Sequence, residues 1–328
     1  MKRNITKFIF GIALVGTLWS CKNGDPTFPD YEGGTTVYFP YQYPVRTIVL
    51  GDDEYDLTLD HAHKCQIKAT FGGSYNGSDG SVQVAVDESL CQNLYFEDGV
   101  TPVKAMPSSY YQLSTMNLDF KGTMNGTTEV QLTDAFFNDP EAVNTTYVIP
   151  LVITGQTGFG KILTGTLLGD QTGSRTNSDL WDIKPMDYVL YCVKFQNKYS
   201  GFWLTHGTTS TADIEHAQAV EIKSKSLNTC VYTVSTQDGN NILSADLLLT
   251  FNGDNCTISS LTDGVTATGT GSWGDDTEKK AWGNKDRDGM ELNYNVTFAN
   301  GKTLSKHEKM VWQRSGVTIQ EFAPVYVK

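Results

Sequence analysis

Apolar and polar residues alternate along most of the chain, and that two-residue period leaves little room for a helical core. Val82, Val84 and Val86 fall on one face, as do Tyr147, Ile149, Leu151 and Ile153. The second half repeats the pattern at Val189, Tyr191, Val193 and Phe195, at Leu247, Leu249 and Phe251, and at Leu292, Tyr294, Val296 and Phe298. Strand side chains point to opposite faces in turn, so these runs read as half-buried strands. Turn-forming pairs separate them: Gly72-Gly73, Asn76-Gly77, Asp79-Gly80, Asn125-Gly126, Asp238-Gly239, Asn252-Gly253 and Asn300-Gly301. Such pairs join antiparallel strands into hairpins, and Gly takes the positive φ the turns need. The expectation is an all-β chain of sandwiches or barrels, with one short helical turn over 134–143.

A length of 328 residues suggests two domains at roughly 150 residues each. Residues 169–184 are polar and lack alternation, so the boundary is expected there. That gives a first β domain over 35–168 and a second over 185–328. Residues 21–34 read as a tether. The net charge of −12 argues against a nucleic-acid binder and against adhesion to an anionic membrane by charge alone.

Lys2, Arg3 and Lys7 precede an apolar stretch over 8–19. That stretch is shorter than the ~20 residues needed to span a bilayer and suits a signal peptide over 1–20. Leu18-Trp19-Ser20-Cys21 resembles a bacterial lipobox, with Cys21 as the lipid-attachment residue; Trp19 departs from the usual small residue there. Removing three cations and no anion takes the side-chain charge to −15. The segment after Cys21, Lys22-Asn23-Gly24-Asp25, resembles an acidic surface-export tag with fewer acids than usual. The expected location is the outer membrane, lipid-anchored and facing outward.

Few motifs point to chemistry. Gly155 to Lys161 follows a P-loop spacing, but Ile162 stands where the Mg²⁺-binding hydroxyl belongs and no helix follows. Asn284 to Gly289 imitates the start of an EF-hand loop, but Asn295 replaces the closing Glu, so a charged hairpin turn is expected. His61 and His63 would share a strand face without further ligands. No metal or cofactor is expected. Acidic runs at 52–56 and 275–278 read as solvated loops, although a glycosidase would need two carboxylates across a cleft. Cys65, Cys91, Cys192, Cys230 and Cys256 form no CxxC; they read as small buried hydrophobes, with one bridge per domain left open.

Several segments carry a family resemblance: Val37-Tyr38-Phe39-Pro40, Met106-Pro107-Ser108-Ser109-Tyr110-Tyr111, Asp134-Ala135-Phe136-Phe137-Asn138-Asp139-Pro140, Tyr188 to Phe195 and Ala281-Trp282-Gly283-Asn284-Lys285. Together they resemble Bacteroides-group surface lipoproteins with an uncharacterised N-terminal domain. A similar domain precedes some family-18 endo-β-N-acetylglucosaminidases. The resemblance implies an Ig-like β-sandwich followed by a lipocalin-like antiparallel barrel or sandwich. It also implies an origin beside SusC/SusD-type glycan-uptake systems, with a polysaccharide or glycan as ligand and those outer-membrane proteins as partners. It carries over no catalytic residue, because the Asp-x-x-Asp-x-Asp-x-Glu signature is absent. Relatives tend to carry a basic pair where this chain has Thr205-His206.

Carbohydrates stack their C–H faces on aromatic rings, so exposed indoles would mark a glycan site. Trp203, Trp273 and Trp282, beside glycines, are the leading candidates, with Tyr199 and Phe202 next to the first. The expected function is a non-catalytic glycan-binding accessory of a polysaccharide-utilisation system. A structural or adhesin-like partner of outer-membrane proteins and a glycoside hydrolase are the alternatives.

Overall fold

The computed structural model describes residues 29–209 and 213–327, without the side chains of 207–209 and 213–218. The expected signal peptide over 1–20, Cys21 and residues 22–28 of the expected tether lie outside the described residues.

The first domain is a two-sheet sandwich. One sheet runs in the order Lys161–Ile162, Thr36–Tyr38, Lys64–Gly72, Asn125–Leu132 and Tyr111–Leu113. The facing sheet runs Gln320–Glu321, Pro44–Val49, Tyr188–Gln196, Tyr147–Thr157, Ser81–Val86 and Asn117–Asp119. Inward residues of both fill one core, among them Ile48, Ile67, Phe71, Ile149, Leu151, Val189 and Phe195. Tyr147–Thr157 opens with seven consecutive buried residues because its outer face is covered too. Val148 of this strand and Leu190 and Cys192 of its neighbour Tyr188–Gln196 pack under Leu90, Leu94, Phe96 and Phe322.

The second domain is a closed eight-stranded antiparallel barrel from Gly201–Thr209 to Thr303–Arg314, of the two forms expected for it. The first and last strands close it, with Trp203 paired to Trp312. Two-residue hairpins close Asp238 on Asn241 and Asn252 on Asn255, with Gly239 and Gly253 at positive φ. An eight-stranded barrel is about wide enough for its own side chains. Large residues fill this one, including Trp203, Tyr232, Leu249, Tyr294, Met310 and Trp312.

The expected boundary needs correction. Tyr188–Gln196 belongs to the sandwich, where it pairs antiparallel with Tyr147–Thr157 and parallel with Pro44–Val49. After the barrel the chain also returns: Gln320–Glu321 pairs with Pro44–Val45, and Val325–Tyr326 pairs with Leu94–Tyr95. Residues 185–328 are therefore not one domain; the barrel occupies about 201–314.

Local expectations fared variously. The one helical turn expected over 134–143 is two short ones, Asp134–Phe137 and Pro140–Val143. Gly155 to Lys161 spans a strand end and a turn, with no helix to hold phosphate. Asn125-Gly126 opens a strand instead of forming a turn; a Cβ on Gly126 would meet the Phe120 ring at 2.6 Å. His61 ends the helix Thr58–His61 and His63 has φ 58°, so the two share no strand face. The five described cysteines are free thiols, not bridges. Burial pushes Cys65, Cys192 and Cys256 up to about 12, which leaves them inert.

Candidate functional site

The barrel separates the tryptophans singled out in the sequence. Trp203 is 0% exposed and Trp273 8%. Both indole N–H groups lack a hydrogen-bond partner among the described residues. Tyr199, 3% exposed, stacks on Phe251 at 3.8 Å and donates its hydroxyl to the Gly253 carbonyl. These three are core residues and offer no open face to a glycan, which corrects the expectation. The glycines beside Trp273 misled because they serve packing, not a loop. A Cβ on Gly271 would stand 2.5 Å from Leu292 and 2.6 Å from the Glu291 carbonyl oxygen, and Gly269, two residues earlier, is as tight, 2.4 Å from the Asn293 carbonyl oxygen. They let neighbouring strands approach closely. Phe202 points outward and is half-buried under the Arg314 guanidinium, 4.6 Å from its ring.

Trp282 is different: it is 49% exposed. It sits on the hairpin between Thr266–Glu278 and Arg287–Thr297, where Lys280, Gly283 and Asn284 have positive φ. The hairpin is pinned from below. Buried Arg287 donates from Nε to the Trp282 carbonyl at 3.0 Å, and its guanidinium lies 5.6 Å over the Trp312 ring. The tip closes on itself as Lys279 Nζ and the Lys280 amide both reach Asp286.

Beside this indole lies a groove of about 430 Å³. Its floor is the outer wall of the barrel seam, where Leu204 pairs with Val311 and His206 with Lys309. Glu278, Ala281 and Trp282 form the opposite wall. An apolar floor, one half-open indole and three ionisable groups converge there. This suits a ligand with apolar faces and hydroxyl edges. The Thr205-His206 pair that departs from relatives lines this same groove.

A second arrangement lies behind the hairpin. Asp52 of the first domain meets Asp275, Asp276 and Asp288 of the barrel, with one oxygen of each within 4.8 Å of the others. Asp288 is buried and accepts from the Asp276 amide at 3.0 Å. Burial, then the neighbouring Asp52 and Asp275 charges, pushes its carboxyl up to about 7. Burial, then Asp275 and Asp276, also raises Asp52. Oxygen donors of this kind suit a hard cation such as Ca²⁺, which takes six to eight. Reading the acidic runs as separate solvated loops missed this convergence. It is built from both domains: Asp52, Asp275 and Asp276 stand in the two acidic runs and Asp288 in the EF-hand-like stretch, and nothing local says that they meet.

Comparison with other proteins fits this division. Residues 31–160 match a family model described as an N-terminal domain. Residues 198–316, the barrel, match the domain of unknown function DUF5627. A crystal structure of a Bacteroides ovatus protein of unknown function, at 2.40 Å resolution, is 35% identical, with a TM-score of 0.79 over 91% of this chain and 100% of that one. This chain belongs to the same family as that Bacteroides protein. A second Bacteroides ovatus protein of unknown function aligns at 12% identity and a TM-score of 0.37 over 84% of this chain and 90% of that one, too low to carry an argument. No curated protein matches the chain.

Proposed function

We propose that the protein is a lipid-anchored surface accessory that holds a glycan, without cleaving it, in the groove beside Trp282. The observation that carries this reading is a half-exposed indole over an apolar floor rimmed by His206, Glu278 and Lys309. A sugar ring laid on the indole would keep its C–H face dry while its hydroxyls meet the rim. The acidic surface suits a neutral glycan, which needs no basic patch. Cys21 would carry the lipid, and SusC/SusD-type outer-membrane proteins of a polysaccharide-utilisation system would be the partners. What favours binding over turnover is the groove's lining: it holds one carboxylate, Glu278, where a glycosidase needs two across a cleft.

Affinity electrophoresis through gels cast with plant and host polysaccharides tests this. Retardation by at least one polysaccharide, with no reducing ends released, is expected. Free migration through the whole panel would refute glycan binding, and released oligosaccharide would turn the reading to a hydrolase. Radiolabelled palmitate on the wild type but not on Cys21→Ser is the expected result for the anchor.

A further inference from the structure

We propose a second carbohydrate-binding site, on the first domain, with Trp181 as its stacking surface. It goes beyond the Trp282 groove, sharing only the class of ligand.

The site is a cavity of about 430 Å³ that no single chain segment builds. Gln42 and Tyr43 enter the strand Pro44–Val49, the connector supplies Trp181 and Lys184, and the tail returning from the barrel supplies Glu321 and Tyr326. The volume lies within the ~300–1,000 Å³ usual for small-molecule sites.

Its aromatic walls are fixed in place. The Trp181 N–H donates to the Ser174 carbonyl at 3.3 Å, so the ring's one polar atom is satisfied. The half-buried ring is left to meet a ligand by contact alone. The Tyr43 ring is held edge-on by Tyr188 at 6.1 Å and by Phe322 at 5.3 Å. The Tyr43 and Tyr188 hydroxyls share a hydrogen bond of 2.5 Å. Arg175 also lines the cavity, where its Nε bonds both oxygens of buried Asp187 at 3.1 Å.

Polar groups around these rings come in both senses. Exposed Lys184 donates, exposed Glu321 accepts, and the Gln42 amide, whose Nε2 already donates to the Phe39 carbonyl at 2.6 Å, can still accept through its oxygen. Asp187 offsets the Arg175 charge and Glu321 balances that of Lys184, so no net positive charge is left for an anion, and a purely apolar ligand would leave these polar groups without a partner. Donors and acceptors together beside aromatic rings match a neutral pyranose, whose hydroxyls both give and take hydrogen bonds. A ligand ordered in this cavity would also touch the tail, so binding would tie that tail to the sandwich.

The test is ¹⁹F NMR of the full chain labelled with 5-fluorotryptophan, with resonances assigned through Trp181→Phe and Trp282→Phe. The probes are neutral hexasaccharides of gluco-, manno-, xylo- and galacto-configuration. The Trp181 resonance is expected to move saturably with at least one of them, whether or not Trp282 is replaced. Lys184→Ala, an exposed change that should not disturb folding, is expected to raise the midpoint of that shift about tenfold, the worth of one charge-assisted hydrogen bond. A Trp181 resonance that stays still while that of Trp282 moves would overturn this proposal and leave the groove reading intact. The reverse would uphold it and remove the groove. Silence at both would remove both, and a midpoint indifferent to Lys184→Ala would also count against it.

Discussion

The Arg287 guanidinium donates to the carbonyl of Trp282 at 3.0 Å and lies 5.6 Å over the ring of Trp312. One buried cation therefore links the indole presented to solvent with the core of the barrel. Its Nη2 also reaches Glu54 of the first domain at 3.4 Å, where Lys285 joins at 3.3 Å. The hairpin carrying Trp282 is held by its own domain and steadied by the other.

Arg287→Ala should loosen that hairpin. It removes a charge-assisted hydrogen bond and a cation–π contact, at a cost of about 2 kcal/mol. Hydrogen exchange should quicken across 279–286 and stay slow in the strand Tyr147–Thr157. Protection unchanged at the hairpin would mean that Arg287 does not hold it. Glu54→Gln, an exposed change, should quicken the same amides slightly and leave Tm near its original value.

Asp288 sets a pH dependence. Its folded-state carboxyl is raised to about 7, against about 4 in an unfolded chain. Between those values the folded protein keeps a proton that the unfolded chain has released. Stability should therefore fall as pH rises from about 4 to about 7, then level off. Asp288→Asn keeps an acceptor for the Asp276 amide and removes the charge. At pH 8 it should be more stable than the wild type by about 2 kcal/mol, allowing for screening by nearby water, and at pH 4 nearly equal. Denaturant melts at the two pH values check this; a variant less stable at pH 8 would contradict it.

Glu308 tests the polar part of the barrel interior. It accepts from the Tyr294 hydroxyl at 2.7 Å and the Tyr232 hydroxyl at 3.1 Å, and it pairs with Lys306 at 3.0 Å. Glu308→Ala would strand two buried phenols and a half-buried ammonium, so a loss of about 3 kcal/mol is expected. Urea unfolding followed by tryptophan fluorescence would measure it. Glu308→Gln, which keeps an acceptor, should cost less.

Trp203→Ala separates core from surface. A fully buried indole replaced by a methyl group should cost about 3–5 kcal/mol. The folded fraction should still bind glycan as the wild type does. Altered affinity in protein that remains folded would return Trp203 to the binding surface.

Much of the fold was legible because alternation is a local property. Leu292, Tyr294, Val296 and Phe298 read as one face and are all buried in the barrel. What alternation could not decide was parity where both faces are apolar. Trp203 lies between Phe202 and Leu204, so nothing local says which points inward, and the strand turns Trp203 in. Membership of a sheet was equally hidden. Tyr188–Gln196 reads plainly as a strand, yet its partners lie some 40 and 150 residues upstream, at Tyr147–Thr157 and Pro44–Val49. The candidate site was legible only at Trp282. Its groove floor and the Asp52–Asp288 contact depend on barrel closure and domain packing, which leave no mark at short range.

The most direct test is calorimetric titration of the full chain and of Trp282→Ala with the polysaccharide that retards the wild type. The protein should bind it, and the alanine variant, equally folded by circular dichroism, should lose one site from the isotherm. Superimposable isotherms from the two proteins would contradict the account.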